Sequence, residues 1–165
     1  MRTFKRILLV LLVIFIIAQA FRTGKNTSND TTKDISKTYV VPQNVKAILA
    51  KACNDCHSNS TRYPWYAEIQ PVSWWLGNHI KDGKRKLNFN EFDGYPIARQ
   101  YEKLEDCIKE VKDGGMPLPS YTLIHKDAVL TDVEKKTFLD WCGILRENIK
   151  ANNPADSLVI KKKTI

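Results

Sequence analysis

The chain has 165 residues, which is enough for one domain and short for two. Apolar residues make up 43% and charged residues 27%, so the chain can bury a core, and wholesale disorder is excluded. The net charge of +8 permits an acidic partner or a membrane surface without naming either, and four cysteines are too few for a disulfide scaffold. A mean hydropathy of −0.35 excludes a polytopic membrane protein.

Residues 1–21 are predicted to be a signal peptide or an N-terminal membrane anchor. Three cations precede twelve uninterrupted apolar residues, 7–18, and an Ala-Gln-Ala cleavage-type site follows at residues 18–20. Twelve apolar residues rise about 18 Å as a helix, which is short of a ~30 Å hydrocarbon core, so both interpretations stay open. Either one sends the remainder to the periplasmic side of the bacterial inner membrane, where nucleic acid is not an expected partner.

Three further segments follow the N-terminal one. Residues 22–38 are polar and lack an apolar period, so they are predicted to form a flexible tether. Residues 39–152 form the predicted working domain, and 153–165 a basic tail containing Lys161, Lys162 and Lys163.

Within the domain, apolar residues recur at helical spacing in four stretches. They begin at about Pro42, Pro71, Ile97 and Thr131. Gly83 is the predicted stop of the second helix, Gly114 and Gly115 end the third, and Thr131 with Glu134 predicts a capping box on the fourth. Because no stretch alternates with period two, the predicted class is all-α, a cytochrome c-like bundle of about four helices with long loops.

One motif carries the chemistry: Cys53-Asn54-Asp55-Cys56-His57, a C-x-x-C-H. Two thiols three residues apart on a helical turn can each add to a vinyl group of a haem, which places His57 as proximal iron ligand. A thioredoxin-like site would need a βαβ setting, and zinc would need two more ligands at metal spacing. The motif therefore predicts one covalent haem c held by Cys53 and Cys56.

The sixth iron position has several candidates. Met116 lies in a loop rich in glycine and proline after the third predicted helix, and it is the favoured distal ligand. His79, on the apolar face of the second helix, is the alternative, while His125 or an open site are further options. Met116 and His79 also have plain interpretations, as residues that fill the core.

Two other features stay open at this point. Cys107 and Cys142 lie on the predicted core faces of the third and fourth helices, where they form either a disulfide or two small buried apolar contacts. The basic stretch 81–86 is a solvated face, a docking site for an acidic redox partner, or a set of partners for haem propionates.

Several separated segments resemble the bacterial haem-binding domain family. They are Cys53 to Tyr66, Gln70 to Trp75, His79-Ile80, Leu87 to Phe89, Gly115 to Pro117, and Tyr121 to His125. The resemblance covers about residues 40–150 and implies a single covalent haem in an exported, often membrane-tethered domain. It assigns haem attachment to Cys53 and Cys56 and the proximal position to His57.

The layout is also similar to class I cytochromes c, which place a methionine about sixty residues after the motif and before a proline. That likeness implies Met116 ligation and electron transfer, although the aromatic-rich stretch 58–75 departs from the pattern. The sequence thus favours an exported monohaem cytochrome that is not an enzyme and whose redox partners it does not name. A haem sensor with an exchangeable sixth ligand and a small peroxidase are the alternatives.

Overall fold

The computed structural model describes residues 1–160. Seven α-helices lie in this range: α1 Arg2–Ala18, α2 Gln43–Ala52, α3 Asn54–His57, α4 Val72–Lys86, α5 Ile97–Lys112, α6 Pro119–Thr122 and α7 Asp132–Asn152. Short 3-10 turns separate several of them, and the β contact in the described part is an isolated bridge between Thr27 and Ser60. The predicted all-α class is confirmed.

The core forms where α5 packs along α7. The buried positions of α5 include Leu104 and Val111, and those of α7 include Phe138 and Leu145, so each helix buries one stripe at intervals of three, four and seven residues. The apolar face of α2 completes the cluster, which places the end of α2 directly against the core. This packing fixes the start of the C-x-x-C-H motif.

Helix boundaries follow the predictions at one end and depart from them at another. Thr131 Oγ1 accepts a hydrogen bond from the Glu134 backbone N–H at 3.2 Å, and the Glu134 carboxylate accepts one from the Thr131 N–H at 2.8 Å, so the predicted capping box is confirmed. The predicted stop at Gly83 is wrong, because α4 continues to Lys86. A glycine inside a helix weakens that helix without ending it, and tertiary contacts require a glycine at this position.

The N-terminal helix α1 is apolar and lies exposed along its length. Among residues 1–160, no helix has both the length and the apolar character needed to cross a membrane.

Residues 22–38, predicted as a flexible tether, pack against the domain. Ile35 is 2% exposed and belongs to the main apolar cluster. The Asn26 side-chain amide donates to the Ser58 carbonyl and to Thr61 Oγ1, both at 2.9 Å, and its backbone N–H donates to Tyr63 Oη. The polar residues that predicted flexibility instead satisfy backbone groups of the loop after the haem motif, so the segment is part of the fold.

The C-terminal segment also has structure before the described residues end. A 3-10 turn at Ala155–Leu158 lies against α5, and Leu158 packs on the apolar cluster. The lysines of the predicted basic tail, 161–163, lie outside the described residues.

Candidate functional site

The C-x-x-C-H motif forms a separate helical turn. Helix α2 breaks at Cys53, whose φ of −124° departs from helical geometry. The Cys53 carbonyl then accepts hydrogen bonds from the backbone N–H groups of Cys56 at 3.1 Å and of His57 at 2.9 Å. This turn, α3, holds both thiols and the imidazole at one end of α2.

The imidazole of His57 has a fixed orientation. Its Nδ1 lies 3.1 Å from the Gly83 carbonyl oxygen and 3.0 Å from the Leu87 carbonyl oxygen. Because a carbonyl oxygen only accepts, Nδ1 carries the proton and Nε2 keeps its lone pair. Burial lowers the pKa of His57, with the two carbonyl bonds opposing that shift, so the neutral ring that a metal requires is favoured.

Gly83 allows α4 to approach the motif closely. A Cβ at this position would lie 2.7 Å from the Cys56 carbonyl oxygen and 3.1 Å from Cys56 Cβ. Real Cβ atoms do not tolerate the shorter distance, and the obstructing atom belongs to backbone. The glycine therefore lets the end of α4 reach His57, a role that the sequence interpretation as a helix stop missed.

Two adjoining cavities open beside the motif, with volumes of about 260 and 390 Å³. Both are lined by Cys53, His57, Lys86 and Met116, and Cys56 lines the smaller one. Burial raises the pKa of the Cys53 thiol to about 12 and that of Cys56 to about 11. The motif's reactive side chains therefore line adjoining concave spaces, the usual form of a cofactor site.

The Met116 loop is built at the end of α5. Gly114 has a φ of +76°, the left-handed conformation that commonly ends a helix. The Met116 backbone N–H then donates to the Glu110 carbonyl at 3.0 Å, which turns the chain back along α5. This loop brings the predicted distal ligand to both cavities.

The two other histidines are placed differently. His79 lines the smaller cavity, its ring lies 4.2 Å from that of Trp75, and its Nδ1 donates to the Trp75 carbonyl. His125 lines neither cavity, and its Nε2 lies 2.7 Å from Tyr66 Oη. The structure thus gathers four predicted residues, with His79, at one space and leaves His125 outside it.

A buried carboxylate anchors the motif from within. Asp55 is 8% exposed, and its carboxylate accepts hydrogen bonds from the Arg62 side chain and backbone and, at 2.6 Å, from Tyr121 Oη. Arg62 also donates to the Ala50 carbonyl. Burial, followed by the bond to Asp55, raises the pKa of Tyr121.

The sequence analysis missed this network. Asp55 occupies a variable position of the motif, and neither Arg62 nor Tyr121 carries a spacing signal toward it. Tyr121 lies in a segment that carried the family resemblance, and that resemblance was the sequence signal for a role of this residue.

An aromatic series connects the smaller cavity with the surface. Tyr121 lines the cavity and stacks on His125 with ring centroids 4.3 Å apart. His125 bonds to Tyr66, whose ring meets the exposed Trp65 edge-to-face at 5.9 Å.

The basic stretch has a mixed character. Lys86 lines both cavities, Lys84 donates to Asn26 Oδ1 at 2.6 Å, and Arg85 pairs with Asp82 on the surface. Lys86 is therefore the member positioned toward a bound group.

Comparison with known proteins agrees with this geometry. The family described as haem-binding domain matches residues 13–143, which is more than half of the chain and includes every residue of both cavities. No curated protein and no solved structure matches the chain. The chain belongs to the haem-binding domain family.

Proposed function

We propose that this protein is an exported monohaem c-type cytochrome that transfers single electrons. The observation that carries the proposal is the state of His57. Two backbone carbonyls hold Nδ1, and the ring borders cavities that Cys53 and Met116 also line. A histidine held this way is prepared to bind iron through Nε2.

The residues present fit a covalent haem. Cys53 and Cys56 lie on one helical turn and supply the two thioether positions, while His57 on the same turn supplies the proximal nitrogen. Lys86 offers a positive charge at the cavity wall for a propionate. When bound, the haem would supply a reversible one-electron couple whose potential the protein sets.

The position of α4 supports Met116 over His79 as the sixth ligand. The end of α4 lies on the Nδ1 side of His57, whereas iron would lie on the Nε2 side. His79 belongs to that same helix, one turn before Gly83. Met116 comes instead from the loop between α5 and α6 and borders both cavities.

Two features support electron transfer over catalysis. Met116 on its constrained loop and His57 on α3 would both hold the iron, so little movement of the protein would accompany a change of oxidation state. The aromatic series from Tyr121 to Trp65 also joins the site to an exposed edge where a partner protein has access.

The visible spectrum tests the ligand assignment. We expect the oxidised wild type to show the weak long-wavelength band of iron–methionine ligation. Met116→Ala should abolish that band, and His79→Ala should retain it. A spectrum that Met116→Ala leaves unchanged would overturn the assignment.

A sensor with an exchangeable sixth ligand is the second candidate, because His79 also lines the smaller cavity. Carbon monoxide binding to the reduced protein separates the two functions. Slow or absent binding in the wild type supports the cytochrome, and rapid binding supports the sensor.

Export and attachment can be read from one mass spectrum of protein purified from a bacterial host with haem-attachment machinery. Export with processing predicts a chain that lacks residues 1–20 and carries the mass of one haem. A chain without added haem would contradict covalent attachment, whereas an intact chain that carries haem would indicate export with the N-terminal segment retained.

A further inference from the structure

The two remaining cysteines lie together in the core. Cys107 on α5 is 8% exposed and Cys142 on α7 is 0% exposed. Both side chains belong to the main apolar cluster where α5 packs on α7, and both thiols are free in the structure. A disulfide can form between two cysteines whose Cα atoms lie within about 7 Å, a spacing that two packed helix faces can provide.

A third thiol lies close to this pair. Cys53 packs against the same apolar cluster, and it lines the larger cavity together with Cys107. Cys107 therefore has two neighbours with which it could pair, Cys142 and the haem-attaching Cys53.

We propose that Cys107 and Cys142 form a disulfide in the exported protein and that this bond keeps Cys107 from pairing with Cys53. The inference rests on the proposed export and covalent attachment. Only a free thiol can form the thioether, so a Cys53–Cys107 disulfide would block haem attachment at that position. Cys142 thus protects the cofactor site without contacting it.

The oxidant is a protein disulfide of the thiol-oxidase class found in exporting compartments. The Cys107 thiolate attacks that disulfide, forms a mixed disulfide and releases one partner thiolate. The Cys142 thiolate then attacks the Cys107 sulfur, and the second partner thiolate leaves. Two electrons pass to the partner, which becomes a dithiol, and the two protons of Cys107 and Cys142 balance the new thiols.

Both sulfur atoms are buried once α5 and α7 have packed together. Thiol–disulfide exchange with the partner would therefore take place during folding. The product is apolar and suits this part of the core, where both residues are buried. The bond would join α5 to α7, the two helices with the most extensive mutual packing among the described elements.

Thiol counting in the purified holoprotein tests the bond. The denatured protein is treated with iodoacetamide, with and without prior reduction, and its mass is measured. We expect no adducts before reduction and two after it, at Cys107 and Cys142. Two adducts before reduction would overturn the disulfide, and the haem mass in the same spectrum reports separately on the proposed function.

Haem attachment in variants tests the protective role. Cys142→Ala should lower the attached fraction several-fold, and peptide mapping of the remaining apoprotein should find Cys53 linked to Cys107. The double variant Cys107→Ala/Cys142→Ala removes more core volume than Cys142→Ala does. It should nevertheless restore haem attachment. Equal attachment in Cys142→Ala and the wild type, or failure of the double variant to recover, would overturn the role.

Discussion

The Gly83 carbonyl oxygen accepts a hydrogen bond from Nδ1 of His57 at 3.1 Å, 26 residues away in the chain. The same residue carries no Cβ, and a Cβ there would strike the Cys56 carbonyl. One position therefore supplies both the contact that orients the histidine and the space that allows it.

Gly83→Ala should disturb the site from outside the motif. Alanine favours the helix by about 1 kcal/mol, but crowding against packed backbone costs about 1–3 kcal/mol and pushes α4 away from His57. We expect lower stability in urea unfolding of the holoprotein and a shifted haem spectrum.

Gly143→Ala is the matched control, since a Cβ there meets no atom within 4 Å in the middle of α7. It should be neutral or more stable by up to about 1 kcal/mol, with an unchanged spectrum. If Gly83→Ala behaved like Gly143→Ala, the close approach would have no consequence for the site.

Removing the Tyr121 hydroxyl should weaken the anchor of the motif. Tyr121→Phe deletes the 2.6 Å bond to Asp55 and should cost about 1 kcal/mol in the free energy of unfolding. Asp55→Ala should cost more, because it also leaves the Arg62 bonds unmade.

Tyr66→Phe provides the comparison, because its hydroxyl bonds to His125 and does not touch the motif. It should leave the haem spectrum unchanged, whereas Asp55→Ala should shift it. Identical spectra for all three variants would show that the network has no influence on the haem.

Ile35→Ala should destabilise the protein if residues 22–38 belong to the fold. Removing a side chain that is 2% exposed leaves a cavity and should cost about 2–4 kcal/mol in chemical unfolding. Val40→Ala, at a position 82% exposed, should change stability by less than about 0.5 kcal/mol. Equal stability of the two variants would show that residues 22–38 are a flexible tether and not part of the folded domain.

The capping box predicts a dependence of stability on pH. The hydrogen bond from Lys51, followed by the Thr131 bonds, lowers the pKa of Glu134 below its ordinary value of 4.5. The unfolded chain therefore binds this proton more readily, so the contribution of Glu134 is complete above about pH 4.5 and is lost as the pH falls through the lower folded value.

Glu134→Gln should flatten this acid-side fall in thermal unfolding measured from pH 7 to 3. At neutral pH it should cost at most about 1 kcal/mol, because the pair is partly exposed. Glu147→Gln removes an exposed carboxylate from the same helix and should keep the wild-type profile. A wild-type profile in Glu134→Gln would contradict the assignment.

Local patterns determined much of this protein. The apolar spacing predicted the four main helices, and the Thr131 capping box needed only neighbours within one turn. The C-x-x-C-H motif predicted that Cys53, Cys56 and His57 lie together, because a single helical turn brings together residues so close in the chain.

Tertiary structure decided what depends on distant contacts. Gly83 lies within a helix that packs closely against Cys56. Asp55 is buried because Arg62 and Tyr121 both donate hydrogen bonds to its carboxylate. Ile35 fills a core built from later helices. The placement of Cys107 and Cys142 in one core cluster likewise follows from the packing of α5 on α7. Sequence spacing specifies which face of a helix is apolar, but the partner of that face is fixed only when the elements pack together.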